Sequence, residues 1–233
     1  MNPALLSDFE RIRPPLNVIS DRERLHPFET DAFIAHRALP MCAILPDTEQ
    51  QVVEIVSACT ARTIPVVTRG AGTGISGGAI PSEDGVLLVL TRLNRITAID
   101  ALARSATVGP GVRNLAVSEA AAPSGLFYAP DPSSQLVCSI GGNVAENSGG
   151  VHCLKYGLTT HNLLQVRVVL SSGESVTLGA RSLDAPGYDL LAVITGSEGL
   201  LGVVTEVVVK LTAMPEHVET VLAAFSSVAD AAL

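Results

Sequence analysis

Apolar residues fall in short blocks whose period changes along the chain, and each change marks an element. Val52, Ile55, Val56 and Cys59 recur at helical spacing after Pro46 and predict a helix with one apolar face. Asp47 is the expected cap, with Gln50 at the third helical position. Residues 65–68 then read as a short buried strand that runs straight into Arg69-Gly-Ala-Gly-Thr-Gly-Ile-Ser-Gly-Gly-Ala79. Residues 85–91 predict another buried strand, 95–100 and 105–108 a strand pair, and 112–122 a second helix ended by Pro123 and Gly125. Further on, 163–170 and 174–178 predict a hairpin across Ser171-Ser-Gly173. Residues 189–195 predict a short helix, and 203–211 a half-buried strand with Thr205 and Glu206 facing outward.

Both ends differ from this middle. Residues 1–40 are polar and punctuated by proline, a lead-in with one short helix over 3–13. Residues 218–225 predict a strand, after which Ser227 caps a helix with Asp230 near its third position. Only about one turn then remains, too little for a stable helix, so the expectation is a chain that stops inside a further domain.

Hydrophobic residues make up 47% and charged residues 16% of the 233, which supports a packed core and excludes general disorder. A net charge of -8 speaks against a nucleic-acid partner, which needs clustered Lys and Arg. It does not exclude an anionic cofactor, because backbone N–H groups hold phosphates without net positive charge. Cys42, Cys59, Cys138 and Cys153 are scattered and form no C-x-x-C pair, so reduced thiols are expected and no metal or iron–sulfur site within the chain. The first fifteen residues carry Asp8, Glu10, Arg11 and Arg13 with no apolar core of a signal peptide, and no aliphatic run is long enough to span a bilayer. A cytoplasmic protein without a transmembrane segment is the expectation.

Gly72, Gly74 and Gly77 satisfy G-x-G-x-x-G after a strand, the pattern of a nicotinamide site. That motif requires a helix to begin inside it, so that the pyrophosphate rests on the helix N-terminus. Here the next strand starts at Gly85, and the interval after Gly77 leaves no room for a crossover helix. No G-K-[ST] follows, which removes the ATP-type loop. What remains is a long loop with Gly70, Gly72, Gly74, Gly77 and Gly78 between two buried strands: an anion nest of consecutive amides, with Thr73 and Ser76 as hydroxyl donors and Arg69 as a nearby charge.

Two more segments are unusual. One is Ala129-Pro-Asp-Pro-Ser-Ser134 followed by Ser139-Ile-Gly-Gly-Asn-Val-Ala-Glu-Asn-Ser-Gly-Gly-Val151, in which Gly141 and Gly142 precede a short helix carrying Asn143 and Asn147, with another potential phosphate site at its start. The other is Thr195-Gly-Ser-Glu-Gly-Leu-Leu-Gly-Val-Val-Thr-Glu206.

In order, these segments resemble the FAD-binding domain of the vanillyl-alcohol oxidase/PCMH flavoprotein family over about residues 40–211. The stretch Asn147-Ser-Gly-Gly-Val-His-Cys-Leu-Lys-Tyr-Gly-Leu158 is similar to its D-2-hydroxyacid dehydrogenase branch. The resemblance implies an α+β fold of two lobes, about 41–100 and 101–214, within an FAD-binding domain over 41–214, between the 1–40 lead-in and a cap domain starting at 215–233. It implies that Arg69, Gly70, Ala71, Gly72, Thr73, Gly74, Ser76 and Gly77 hold the pyrophosphate. Pro130, Asp131, Ser133, Gly141, Gly142 and Asn143 would hold the ribityl chain and the isoalloxazine side, with Asn147, Gly149, Gly150 and Val151 following. Glu198, Gly202, Val203 and Val204 would contact adenosine and flavin through the backbone. The loop has Thr73 and no His, whereas covalently flavinylated members carry a His there, so the FAD should dissociate.

The activity implied is hydride transfer from the α-carbon of a small 2-hydroxy acid, glycolate or D-lactate, to flavin N5, leaving the 2-oxo acid. An iron–sulfur subunit and a second flavin-domain subunit at the inner membrane are implied partners. The alternative is a shortened, non-catalytic flavin subunit with a structural or electron-relay role. No catalytic base is named: the substrate-binding groups of the branch belong to the cap domain, and His152, the one histidine beside the expected flavin segments, reads first as structural. The five histidines show no metal-ligand spacing.

Overall fold

The two apolar patterns, continuous in one half and alternating in the other, become two sheets in the computed structural model, which describes residues 3–182 and 185–232. The first sheet contains β1 (Asn17–Ile19), β2 (Cys42–Leu45), β3 (Val66–Arg69) and β4 (Val86–Val89) in the order β1-β2-β4-β3. Its β2, β4 and β3 are parallel, and β1 runs antiparallel on the β2 edge. Three helices go with this half: α1 (Pro3–Arg11), α2 (Arg22–Leu25) and α3 (Glu49–Thr60). The periodic residues Val52, Ile55, Val56 and Cys59 of α3 pack with Leu5 and Phe9 of α1 and with Ile44 and Leu88 of the sheet. Leu25 lies against the other face, with Ala43 and Leu87.

The second sheet is antiparallel throughout, with β5 (Ile96–Asp100), β6 (Ser105–Val108), β8 (Leu163–Val169), β9 (Ser175–Gly179) and β10 (Val203–Lys210) in the order β5-β6-β10-β8-β9. A short pair, β7 (Leu126–Phe127) with β11 (Thr212–Ala213), stands beside it. Its helices are α4 (Asn114–Ala121), α5 (Ile140–Glu146), α6 (Cys153–Tyr156) and α7 (Leu190–Ile194), and α8 (Val228–Ala232) follows near the C-terminus. Val108, Val117, Ile140, Val144, Val166 and Val207 form the centre of this core. The halves meet where α3 lies on the β8–β9 hairpin. Arg167 bridges Glu49 and Glu206 at 3.0 Å each, and Thr60 Oγ1 donates to Ser171 O at 2.7 Å.

Four local expectations change. The cap of α3 is Thr48, whose hydroxyl accepts the Gln51 N–H at 3.2 Å, because Gln51 rather than Gln50 reaches back to the Asp47 N–H. Asp47 is drawn instead to Arg92, at 2.6 Å. Thr205 faces inward, because a register shift between Val204 and Glu206 rotates it into the interior. Gly141 and Gly142 lie inside α5, which Ser139 caps, and Asn147 closes that helix in the left-handed region instead of riding on it. Residues 218–225 form no strand. Among the described residues no strand runs beside them to complete a ladder, and Val218, Val221 and Leu222 are exposed.

Candidate functional site

Between β3 and β4, residues 70–85 make a parallel connection out of bends and turns alone. Parallel neighbours require a long crossover, which is normally helical. Here it is an open loop standing above the ends of both strands. Among the described residues, no backbone N–H from Ala71 to Gly78 donates to another group of the protein. A continuous run of unpaired amides is the arrangement that accepts an anion.

The loop forms one wall of a cavity of about 320 Å³, partly open to solvent. Ser133, Ser134 and Cys138 with the start of α5 form a second wall, and Ile194, Ser197 to Gly199, Gly202 and Val204 a third. Close approach of loop to α5 is set by Gly70: a Cβ there would overlap Ser139 Oγ, the group that caps α5 through the Gly142 N–H at 3.3 Å. Gly72 has φ +71, and a Cβ on it would collide with the Arg69 guanidinium.

That guanidinium is turned under the loop. It is 9% exposed, with Nη1 donating to Thr30 O at 2.7 Å and Ala79 O at 3.4 Å, and with Cζ 5.9 Å from the Phe28 ring centre. Burial lowers the Arg69 pKa, and the neighbouring Asp31 offsets only part of that. Asp31 Oδ2 accepts the Ala79 N–H at 3.3 Å and Oδ1 the Phe33 N–H at 2.8 Å. Two further carboxylates lie on the wall. Glu146 accepts from Ser76 Oγ at 2.6 Å. Glu198 takes the left-handed conformation, φ 54, and its N–H donates to Ala145 O at 2.8 Å.

Opposite the loop, Asn143 is 1% exposed, and its Nδ2 is buried with no hydrogen-bond partner. A buried amide N–H left without an acceptor is costly, on the order of 1–3 kcal/mol, and such a group calls for an explanation. Its neighbour, the Cys138 thiol, is pushed up by burial.

The cavity wall gathers most of the expected residues: Arg69, Gly70, Ala71, Gly72, Thr73, Gly74 and Ser76 from the loop; Ser133, Gly141, Gly142 and Asn143; and Glu198, Gly202 and Val204. Gly77, Pro130, Asp131, Asn147, Gly149, Gly150, Val151 and Val203 are not on it. Several of these support the wall from behind. Pro130 O accepts from Asn114 Nδ2 at 3.0 Å, Asn147 Oδ1 from the Thr160 N–H at 3.0 Å, and Val203 is a core residue. The Asp131 carboxylate holds His152, Oδ2 to Nδ1 at 2.6 Å, with Gly150 packed on the Asp131 backbone. Sequence reasoning missed Asp31, which no motif marks, together with Ser139 and Glu146, which lie inside a quoted segment but were passed over for the glycines around them.

A loop of unpaired amides, an orphaned amide across the cavity and a two-sheet α+β scaffold describe a domain with a cavity suited to an anionic ligand. The FAD binding domain family (FAD_binding_4) matches residues 40–179, and the chain belongs to it. The chain is 56% identical over 220 residues to the glycolate oxidase subunit GlcD of Escherichia coli K12, covering 94% of this chain and 44% of that protein. It is 32% identical to a D-lactate dehydrogenase of Anaerostipes hadrus, covering 99% of this chain and 48% of that protein. Among solved structures, alkyldihydroxyacetonephosphate synthase superposes with a TM-score of 0.82 at 23% identity, covering 93% of this chain and 41% of that one. The chain thus spans about half or less of these relatives' lengths. Among the described residues, no helix is long and apolar enough to cross a membrane.

Proposed function

We propose that this chain is the FAD-holding part of an oxidoreductase that removes a hydride from the α-carbon of a small 2-hydroxy acid, with glycolate as first choice and D-lactate second. The observation that carries the reading is the unpaired amide run over 71–78 facing the orphaned Asn143 amide across one cavity. Glycolate comes first because the E. coli relative bears that name at the higher identity.

In this reading the 71–78 amides and the Thr73 hydroxyl would hold the diphosphate, and the Asn143 amide would donate to the flavin end. When bound, FAD supplies a two-electron acceptor for the substrate's hydride. The protein's work is to hold and orient that group and to keep water from it. Of the cavity carboxylates, Asp31 is engaged with two amides and Glu146 with Ser76, so neither of these two is assigned a proton-transfer role. The substrate's carboxylate and hydroxyl proton are left to groups beyond this cavity. With no histidine in the loop, the FAD is dissociable. A multi-subunit assembly with iron–sulfur and second flavin-domain partners fits the word subunit in the E. coli relative's name.

Purified protein should be yellow and release FAD, intact, on denaturation. Anaerobic addition of glycolate, D-lactate or D-2-hydroxyglutarate to the full-length enzyme should bleach the flavin, fastest with glycolate. A colourless protein that does not take up added FAD would defeat the proposal.

A further inference from the structure

The lead-in before β2 has no place in the flavin reading, yet Thr30 and Asp31 sit directly under the glycine loop. Arg69 leaves the end of β3 and folds back beneath the loop to reach Thr30 O, at 2.7 Å. At the loop's other end Ala79 gives its N–H to Asp31 Oδ2, at 3.3 Å, and its carbonyl accepts from Arg69, at 3.4 Å. Both ends of the amide run are therefore pinned to the same two residues. Those two are themselves fixed: Thr30 Oγ1 lies 3.1–3.2 Å from the carbonyls of Asp31, Phe33 and His36, and Asp31 Oδ1 accepts the Phe33 N–H at 2.8 Å. Between its ends the loop has no amide bonds of its own to define its shape.

We infer that Arg69, seated on Thr30 and Asp31, is a positioning residue of the dinucleotide loop, which shapes the amides for a diphosphate without touching it. The inference rests on the flavin reading above and adds to it a third chain segment, the lead-in. The guanidinium lies against Gly72, and its hydrogen bonds go to the chain carbonyls of Thr30 and Ala79. Lysine is no equivalent, because Nη1 alone meets both carbonyls while Nη2 and Nε lie against Gly72, and an ammonium has no planar group to fill that second place. Nor can asparagine replace Asp31, since its one carbonyl oxygen can serve only one of the two amides that the carboxylate serves.

The test uses the intact protein as wild type, Arg69→Lys, Asp31→Asn and Gly72→Asp. The FAD dissociation constant, competition by ADP and the visible spectrum at saturating FAD are measured for each, with circular dichroism to confirm folding. Both strut variants should weaken FAD and ADP in the same proportion, roughly tenfold or more for one lost charge-assisted bond. The spectrum of the bound flavin should stay unchanged, because the ring lies elsewhere. The inference is overturned by unchanged FAD affinity, by FAD weakening without ADP weakening, or by a shifted flavin spectrum, which would show general damage. It is equally overturned if Asp31→Asn tightens FAD, since freeing Arg69 from its counter-charge would then show direct anion contact. Should wild type bind no FAD, or should Gly72→Asp bind as well as wild type, the flavin reading itself fails, whatever the strut variants do. If Arg69→Lys does not fold, Asp31→Asn decides alone.

Discussion

Gly70 and Ser139 give the sharpest quantitative test, because the loop wall meets the start of α5 there in a close steric contact, apart from the Ser76–Glu146 hydrogen bond at the helix's other end. A Cβ on residue 70 would overlap Ser139 Oγ, while Ser139 Cβ would lie at 3.5 Å, an ordinary contact. Gly70→Ala must therefore displace the hydroxyl from its cap on Gly142, a loss of about 1 kcal/mol. Forcing the serine off its rotamer or shifting the loop adds about 1 kcal/mol. Ser139→Ala alone removes the same cap, again about 1 kcal/mol. In the double variant the clash is gone and only the cap is missing, so the total returns to about 1 kcal/mol. The coupling, double minus both singles, is thus about -2 kcal/mol, well beyond the ~0.5 kcal/mol scatter of independent sites. Urea denaturation of the four proteins measures it. FAD retention should follow the same pattern, worst in Gly70→Ala and partly restored in the double variant. Additive single effects would refute the claimed contact.

Other outcomes follow from the same structure. Asn143→Leu should leave the apo-protein's urea midpoint unchanged or raised, because it removes an unpartnered buried amide, while FAD affinity falls about tenfold or more. Glu198→Gly relieves a left-handed non-glycine residue and should stabilise the apo-protein by about 1 kcal/mol in the same titration. Burial pushes Cys42 up to about 11 and Cys59 up to about 12 from an ordinary 9.0. The native state then holds protons that the unfolded chain releases. Stability is full below pH 9 and should fall as pH rises from 9 toward 11, by at most roughly 1.4 kcal/mol per pH unit for each thiol. A urea midpoint that rises or stays flat between pH 8.5 and about 10.5 would contradict this.

The loop was legible in the sequence because covalent length alone decides the matter: two buried strands with too few residues between them cannot hide a helix. The α3 face and the β8–β9 hairpin were legible for a similar reason, since their periods are local. The direction of Arg69 was not. A guanidinium at the end of a strand can point toward a ligand or under a loop, and the choice was made by Thr30 and Asp31, some forty residues earlier in sequence and marked by no motif. Thr205 was misread because a bulge shifts the two-residue period by one, and nothing within β10 announces a bulge. Residues 218–225 have strand-like composition, but composition supplies no partner strand. The wall around Asn143 was found by resemblance rather than by physics, and the physical signal, a donor without an acceptor, exists only in three dimensions.

The irregular passage from β3 to β4 has a last consequence. A segment that donates no amide of its own between two fixed ends should exchange those hydrogens with solvent almost as fast as an unfolded peptide, and offer itself to proteases. Once an anion occupies it, the same stretch should become the most strongly protected turn in the molecule. Cofactor saturation could then be read in crude material from the survival of one peptide bond near Ile75.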